Sequence, residues 1–219
     1  MSLLEFARGP AMQIAIAVFV FGVAWRLLSI LLLPRLHDQS QPRPGTRPAI
    51  VGAGWEIVKR SWPRPAFAKS TLFSTVNGYV FHLGLAIVVF GFAQHIIFLK
   101  NIFGVSWPGL PANVIALAGI ITLGSLTAAL VRRLASPVLR LISTANDYFT
   151  WLVTVLPLLT GLLAVAHLGG PYETLLALHI LSISLLLIWF PFGKLMHAFL
   201  VFLTRGETGA FYARRGVEL

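Results

Sequence analysis

The chain has 219 residues, of which 57% are hydrophobic and only 11% charged, with a mean hydropathy of +0.84. Soluble domains carry about 25% charged residues, so too little polar surface is present for a water-facing shell, and the chain reads as an all-α integral membrane protein. No cysteine is present, which excludes disulfides, thiolate metal sites, iron–sulfur clusters and the thioether attachment of c-type haem; the net charge of +10, which would point a soluble chain toward nucleic acid, has here to be read from where the charges fall.

Five apolar stretches are each long enough to cross a hydrocarbon core of about 30 Å. The first runs over roughly 11–33. It follows "MSLLEFARGPAM", which lacks the charged n-region and cleavage site of a signal peptide, so it is expected to persist as a helix. Arg26, in "GVAWRLLS", lies toward its second end. A charge at that depth needs a partner or must snorkel to the headgroups.

Next comes a basic, proline-rich loop over 34–75 with seven Lys and Arg; His37 within it reads as solvated. The remaining spans are expected over roughly 76–98, 112–131, 148–168 and 174–203, with short connections, making one membrane domain of residues 1–219. Trp62, Tyr79, Trp107 and Tyr148 fit interfacial aromatic belts.

Orientation follows from Lys and Arg. The 34–75 loop, the loop after the third span and the tail hold thirteen; the other side has only Arg8 and Lys100. The N-terminus is therefore expected outside and the C-terminus in the cytoplasm. The same basic segments are candidates for contact with acidic lipid or a docked partner.

That topology makes the second and fifth spans antiparallel. On the second, His82 lies in the cytoplasmic half and His95 near the outer end; on the fifth, His179 lies near the outer end and His197 in the cytoplasmic half. At 1.5 Å per residue the separations are about 20 and 27 Å. His82 then comes level with His197, and His95 with His179. Two imidazoles facing one another between helices suit axial ligation of haem b; hydrogen bonding between helices is the other use of such residues. Eighteen residues are five whole helical turns, which puts His179 and His197 on one face, whereas His82 and His95 are about 140° apart unless the helix is distorted near Gly91. His167, at the outer end of the fourth span, reads as interfacial.

These residues bring out a resemblance to the gamma subunit of respiratory nitrate reductase and its wider cytochrome b family. It rests on "FHLG" (81–84), "RRLASPVLR" (132–140) followed by "TANDYFTWLV" (144–153), "LHI" (178–180) and above all "FPFGKLMHAF" (190–199), and extends over nearly the whole chain. The resemblance implies five spans, an external N-terminus and two b haems between the second and fifth helices. His82 and His197 would ligate the haem nearer the cytoplasm, and His179 the outer one. The family's other outer ligand falls at Phe92, which cannot bind iron, and His95 is the natural substitute. Arg26 and Lys194, the latter three residues before His197, would meet haem propionates; Pro191 would kink the fifth helix.

By the same resemblance the chain would be the membrane anchor of a respiratory oxidoreductase in a bacterial-type inner membrane. It would exchange electrons between the quinone pool and a cytoplasmic iron–sulfur subunit, as in nitrate-reductase, sulfite-reductase-linked or heterodisulfide-reductase-like complexes. At the outer end, Lys100, His167 and Glu173 are the titratable candidates for quinone chemistry. The alternative is a haem-free anchor or permease component whose histidines bond between helices. The sequence displays neither an inverted repeat nor the paired broken helices of many transporters, which counts against a permease.

Overall fold

A computed structural model describes residues 1–34 and 40–217; Arg35 and His37 of the basic loop lie outside the described residues. Among the described residues the chain is helical, with no strand. In chain order the main helices are α1 (Leu3–Leu31), α2 (Ala49–Lys59), α3 (Pro65–Gly91), α4 (Ala93–Phe103), α5 (Ala112–Ala135), α6 (Ala145–Ala166), α7 (Tyr172–Trp189) and α8 (His197–Arg215). Five of them, α1, α3, α5, α6 and α7, are long and apolar enough to cross a membrane. Their outward faces carry exposed Phe21, Trp25, Leu83, Ile120 and Leu159, far more apolar surface than a soluble monomer presents. The chain is a multi-pass membrane protein.

Two expected spans are interrupted. The stretch expected over 76–98 ends as a helix at Gly91; Phe92 is extended (φ −77°, ψ 124°) and α4 restarts at Ala93. The break is closed locally, as an apolar surrounding demands. The Phe90 carbonyl accepts from the Trp107 indole N–H (2.6 Å), and the Gly91 carbonyl from Leu110 N–H (2.8 Å). The stretch expected over 174–203 stops at Trp189, turns through 190–193, and resumes as a 3₁₀ turn (Lys194–Met196) leading into α8. Pro191 lacks an N–H and restricts Phe190 before it, and Gly193 is extended. Proline here ends the helix rather than kinking it. Continuous helical phase therefore does not place His179 and His197 on one face, and interrupted helices are present where the sequence displayed none.

The chain forms two compact units, residues 1–18 with 72–189, and residues 19–71 with 190–219. In the first, α6 packs along α7 and against α5, and the start of α1 packs on α7. Leu126, Val155 and Leu158 form the core, with Phe81, Leu85, Leu123 and Trp151 around them. Small residues let the helices approach: a Cβ on Gly84 would collide with Thr122, and one on Gly119 would stand 2.9 Å from Leu162. Asn77 and Ser125 exchange hydrogen bonds of 3.0–3.1 Å between α3 and α5, and the Trp151 indole donates to the Leu126 carbonyl (2.8 Å). The "RRLASPVLR…TANDYF" stretch is a helix connection. Thr144 and Asp147 form a capping box on α6, and Asp147, buried, accepts from Arg133 at 3.1 Å.

In the second unit α2 packs closely on α8. A Cβ on Gly52 would stand 2.6 Å from the Gly209 carbonyl oxygen, and one on Gly209 2.6 Å from Glu56 Cβ. Buried Glu56 pairs with Arg60 one turn on. The Arg43 N–H donates to the Arg214 carbonyl (2.9 Å). Phe19, Phe190 and Phe199 pack ring to ring at 5.1–6.5 Å, and Pro191 is fully buried against Gly22.

Candidate functional site

His95 and His179 meet. Their ring centroids are 6.2 Å apart and their planes within 14° of parallel. Each ring is anchored through Nδ1. On His179 this nitrogen faces the Pro157 carbonyl at 3.0 Å and Thr160 Oγ1 at 3.3 Å. Thr160 spends its own proton on the Leu156 carbonyl (2.7 Å) and so presents an acceptor. A carbonyl can only accept, hence the proton sits on Nδ1 and the basic lone pair on Nε2. Gly161 makes room for the ring: a Cβ there would lie 3.0 Å from His179 Cε1 and 3.2 Å from Nδ1.

His95 reaches its anchor because the helix breaks. Its Nδ1 donates to the Val88 carbonyl, seven residues back, at 3.1 Å, a span no continuous α-helix would allow. Phe92, the residue at the break, stands edge-on to the His95 ring at 5.2 Å. The same anchoring recurs on the other histidines: His82 Nδ1 donates to the Gly78 carbonyl (2.7 Å) and His197 Nδ1 to the Lys194 carbonyl (2.8 Å). His82 belongs to the first unit and His197 to the second. In all four rings Nδ1 is committed to a backbone carbonyl, which in a neutral imidazole leaves the lone pair on Nε2.

This donor set fits the haem that the resemblance implies. His95 and His179, neutral imidazoles brought close together with Nδ1 committed to the backbone, are the residues that would hold it, and the group would supply one-electron chemistry there. Among the described residues no three His, Asp or Glu side chains converge.

The other sequence candidates are dispersed. Lys194 opens the 3₁₀ turn, where its carbonyl holds His197; its side chain is exposed, as is Arg26 on α1. Lys100, in the last turn of α4, lines a groove of about 220 Å³ with Ile96, Ile97, Ser106 and Trp107. His167 is the left-handed C-cap of α6 (φ 54°), its ring 5.1 Å from Tyr172, and Glu173 complements the positive N-terminus of α7. Those two have local structural tasks. Thr160, Gly161 and the Val88 and Pro157 carbonyls were missed from the sequence. The one available signal was "PLLTG" (157–161), a polar and a helix-breaking interruption of an otherwise apolar span.

No model of a known protein family matches the chain. A protein of Nitratidesulfovibrio vulgaris strain Hildenborough is 32% identical to it over 214 residues, which cover 96% of this chain and 94% of that protein.

Proposed function

The chain belongs to one family with the Nitratidesulfovibrio vulgaris protein, and from the histidine geometry within it we propose that it is a dihaem b-type cytochrome of the bacterial inner membrane, anchoring a respiratory oxidoreductase. The observation that carries this reading is the His95–His179 pair, 6.2 Å between centroids and nearly parallel, with both Nδ1 atoms committed to backbone carbonyls. Such a pair would hold the outer haem, and the nitrate reductase gamma resemblance assigns His82 and His197 to the inner one. A bound haem supplies one-electron chemistry at its iron.

The residues of the chain do the rest. Pro157, Thr160 and Val88 fix tautomer and ring orientation, and Gly161 leaves the ring its space. Lys100, which lines the groove beside α4, would exchange a proton with a quinol at the outer end. Arg26 and Lys194 would balance propionate charge. The partner would be an iron–sulfur subunit on the cytoplasmic side, received by the C-terminal tail and by the basic loop outside the exposed apolar face of α2, with electrons passing between it and the quinone pool.

The second reading, a haem-free anchor or permease component, draws on the Thr160–His179–Ser182 hydrogen bonds across α6 and α7 and on the two interrupted helices. A reduced-minus-oxidised absorption spectrum of the purified full chain separates the two. A b-type alpha band is expected, and its absence overturns the cytochrome. His95→Ala is expected to leave one haem of two; an unchanged count removes His95 from the ligand set.

A further inference from the structure

Helix α2 has two faces. One, with Gly52 and Glu56, is buried on α8. The other carries Val51, Trp55 and Val58, with Trp62 just beyond the helix end, at spacings of four, three and four residues, exposed by 50%, 54%, 67% and 72%. These spacings put Val51, Trp55 and Val58 on one stripe of a 3.6-residue helix, and Trp62 follows in the turn beyond it.

The segment that carries the stripe is basic. Residues 40–71 hold six Lys and Arg (Arg43, Arg47, Lys59, Arg60, Arg64, Lys69) and a single acid, Glu56, which is buried and paired with Arg60. The segment is also tied at both ends to membrane-spanning helices, α1 and α3. Five residues separate Lys59 from Pro65, so the end of α2 lies within about 20 Å of the start of α3. With 27 residues, α3 is about 40 Å long against a core of about 30 Å, so about 10 Å of it extends beyond the hydrocarbon.

We propose that the Val51–Trp55–Val58–Trp62 face of α2 is a membrane-binding surface, seated in the headgroup layer of acidic lipid. Tryptophan is the side chain that favours that layer, its ring apolar and its N–H wet. An apolar stripe flanked by Lys and Arg is the pattern of helices that lie in the interface. Chemically, the lipid supplies acyl surface to the stripe and anionic phosphate to the flanks. Each basic side chain engaged would favour the seated helix by roughly fivefold on anionic over neutral lipid. The inference does not depend on haem, so it and the cytochrome reading fail separately.

The chain has no cysteine, so a single Val58→Cys, and independently Val51→Cys, takes one nitroxide label in the full-length protein. In vesicles of phosphatidylcholine with phosphatidylglycerol, both labels are expected to collide more often with oxygen, which concentrates in lipid, than with a water-soluble nickel chelate. That preference is expected to weaken several-fold in phosphatidylcholine alone. Labels that meet nickel more often than oxygen overturn the proposal. So do labels shielded from both reagents, which would assign the stripe to a protein partner or a second copy. Equal preference in the two lipid mixtures overturns the acidic-lipid requirement.

Discussion

On the cytochrome reading proposed above, Gly161→Val should cost the protein the outer haem and leave the inner one. The Cβ added at 161 would stand 3.0 Å from His179 Cε1 and 3.2 Å from Nδ1, where ordinary contacts begin near 3.4 Å. Alanine alone therefore asks the imidazole to retreat by about 0.4 Å in an interior packed too densely to absorb it. That retreat carries the 3.0 Å bond to the Pro157 carbonyl to roughly 3.4 Å, the margin of a useful hydrogen bond. Against it, alanine in a helix interior gains about 0.5–1 kcal/mol over glycine. Gly161→Ala is thus expected to keep its fold, with both haems present and only the outer midpoint potential moved. Valine adds two further carbons toward the ring and has one preferred χ1 in a helix, so overpacking of about 1–3 kcal/mol falls on the ligand. The assay is haem per protein by pyridine haemochrome, with a redox titration of each variant and circular dichroism to follow the helices. Two haems at unchanged potentials in Gly161→Val, with helicity intact, would refute the placement of the outer iron between His95 and His179.

His167→Gly should raise thermal stability, because a non-glycine residue in the left-handed C-cap (φ 54°) carries about 1 kcal/mol of strain; an unchanged or lowered midpoint would refute the strain. Trp107→Phe keeps the ring but removes the N–H that caps the Phe90 carbonyl, which should cost about 1 kcal/mol and speed amide exchange in the first turn of α4; exchange matching wild type would show that the break at Phe92 needs no such cap.

The five membrane-crossing helices were legible because hydropathy reports on the surrounding lipid, and lipid admits few backbone solutions. The interruptions were hidden by the same property: "FGFAQH" and "FPFGKLMH" are as apolar broken as continuous. Pro191 was visible as a disturbance, but the full stop at Trp189 also needs the extended Gly193 and a buried seat against Gly22, neither written in local pattern. Counting along antiparallel helices was enough to bring His95 level with His179, since depth survives a change of helical phase. What holds their rings was out of reach. The Val88 carbonyl comes within range of His95 only after the break, and every residue has a carbonyl, so composition cannot single one out. The "RRLASPVLR…TANDYF" motif was read through resemblance, whereas its local reason is the Thr144–Asp147 cap and the Arg133–Asp147 pair.

The seam between α2 and α8 bears on how the protein is made. Arg205, which donates to the Ile57 carbonyl, is separated from it by 148 residues. At about 5–20 residues per second, α2 leaves the ribosome roughly 7–30 s before its glycine-matched partner exists. For that interval its Gly52 flank is uncovered, while four further spans are still to be inserted. A nascent chain that can park α2 on the nearest surface, already delivered beside it by α1, is protected from wrong pairings in a way that a helix waiting in open water is not.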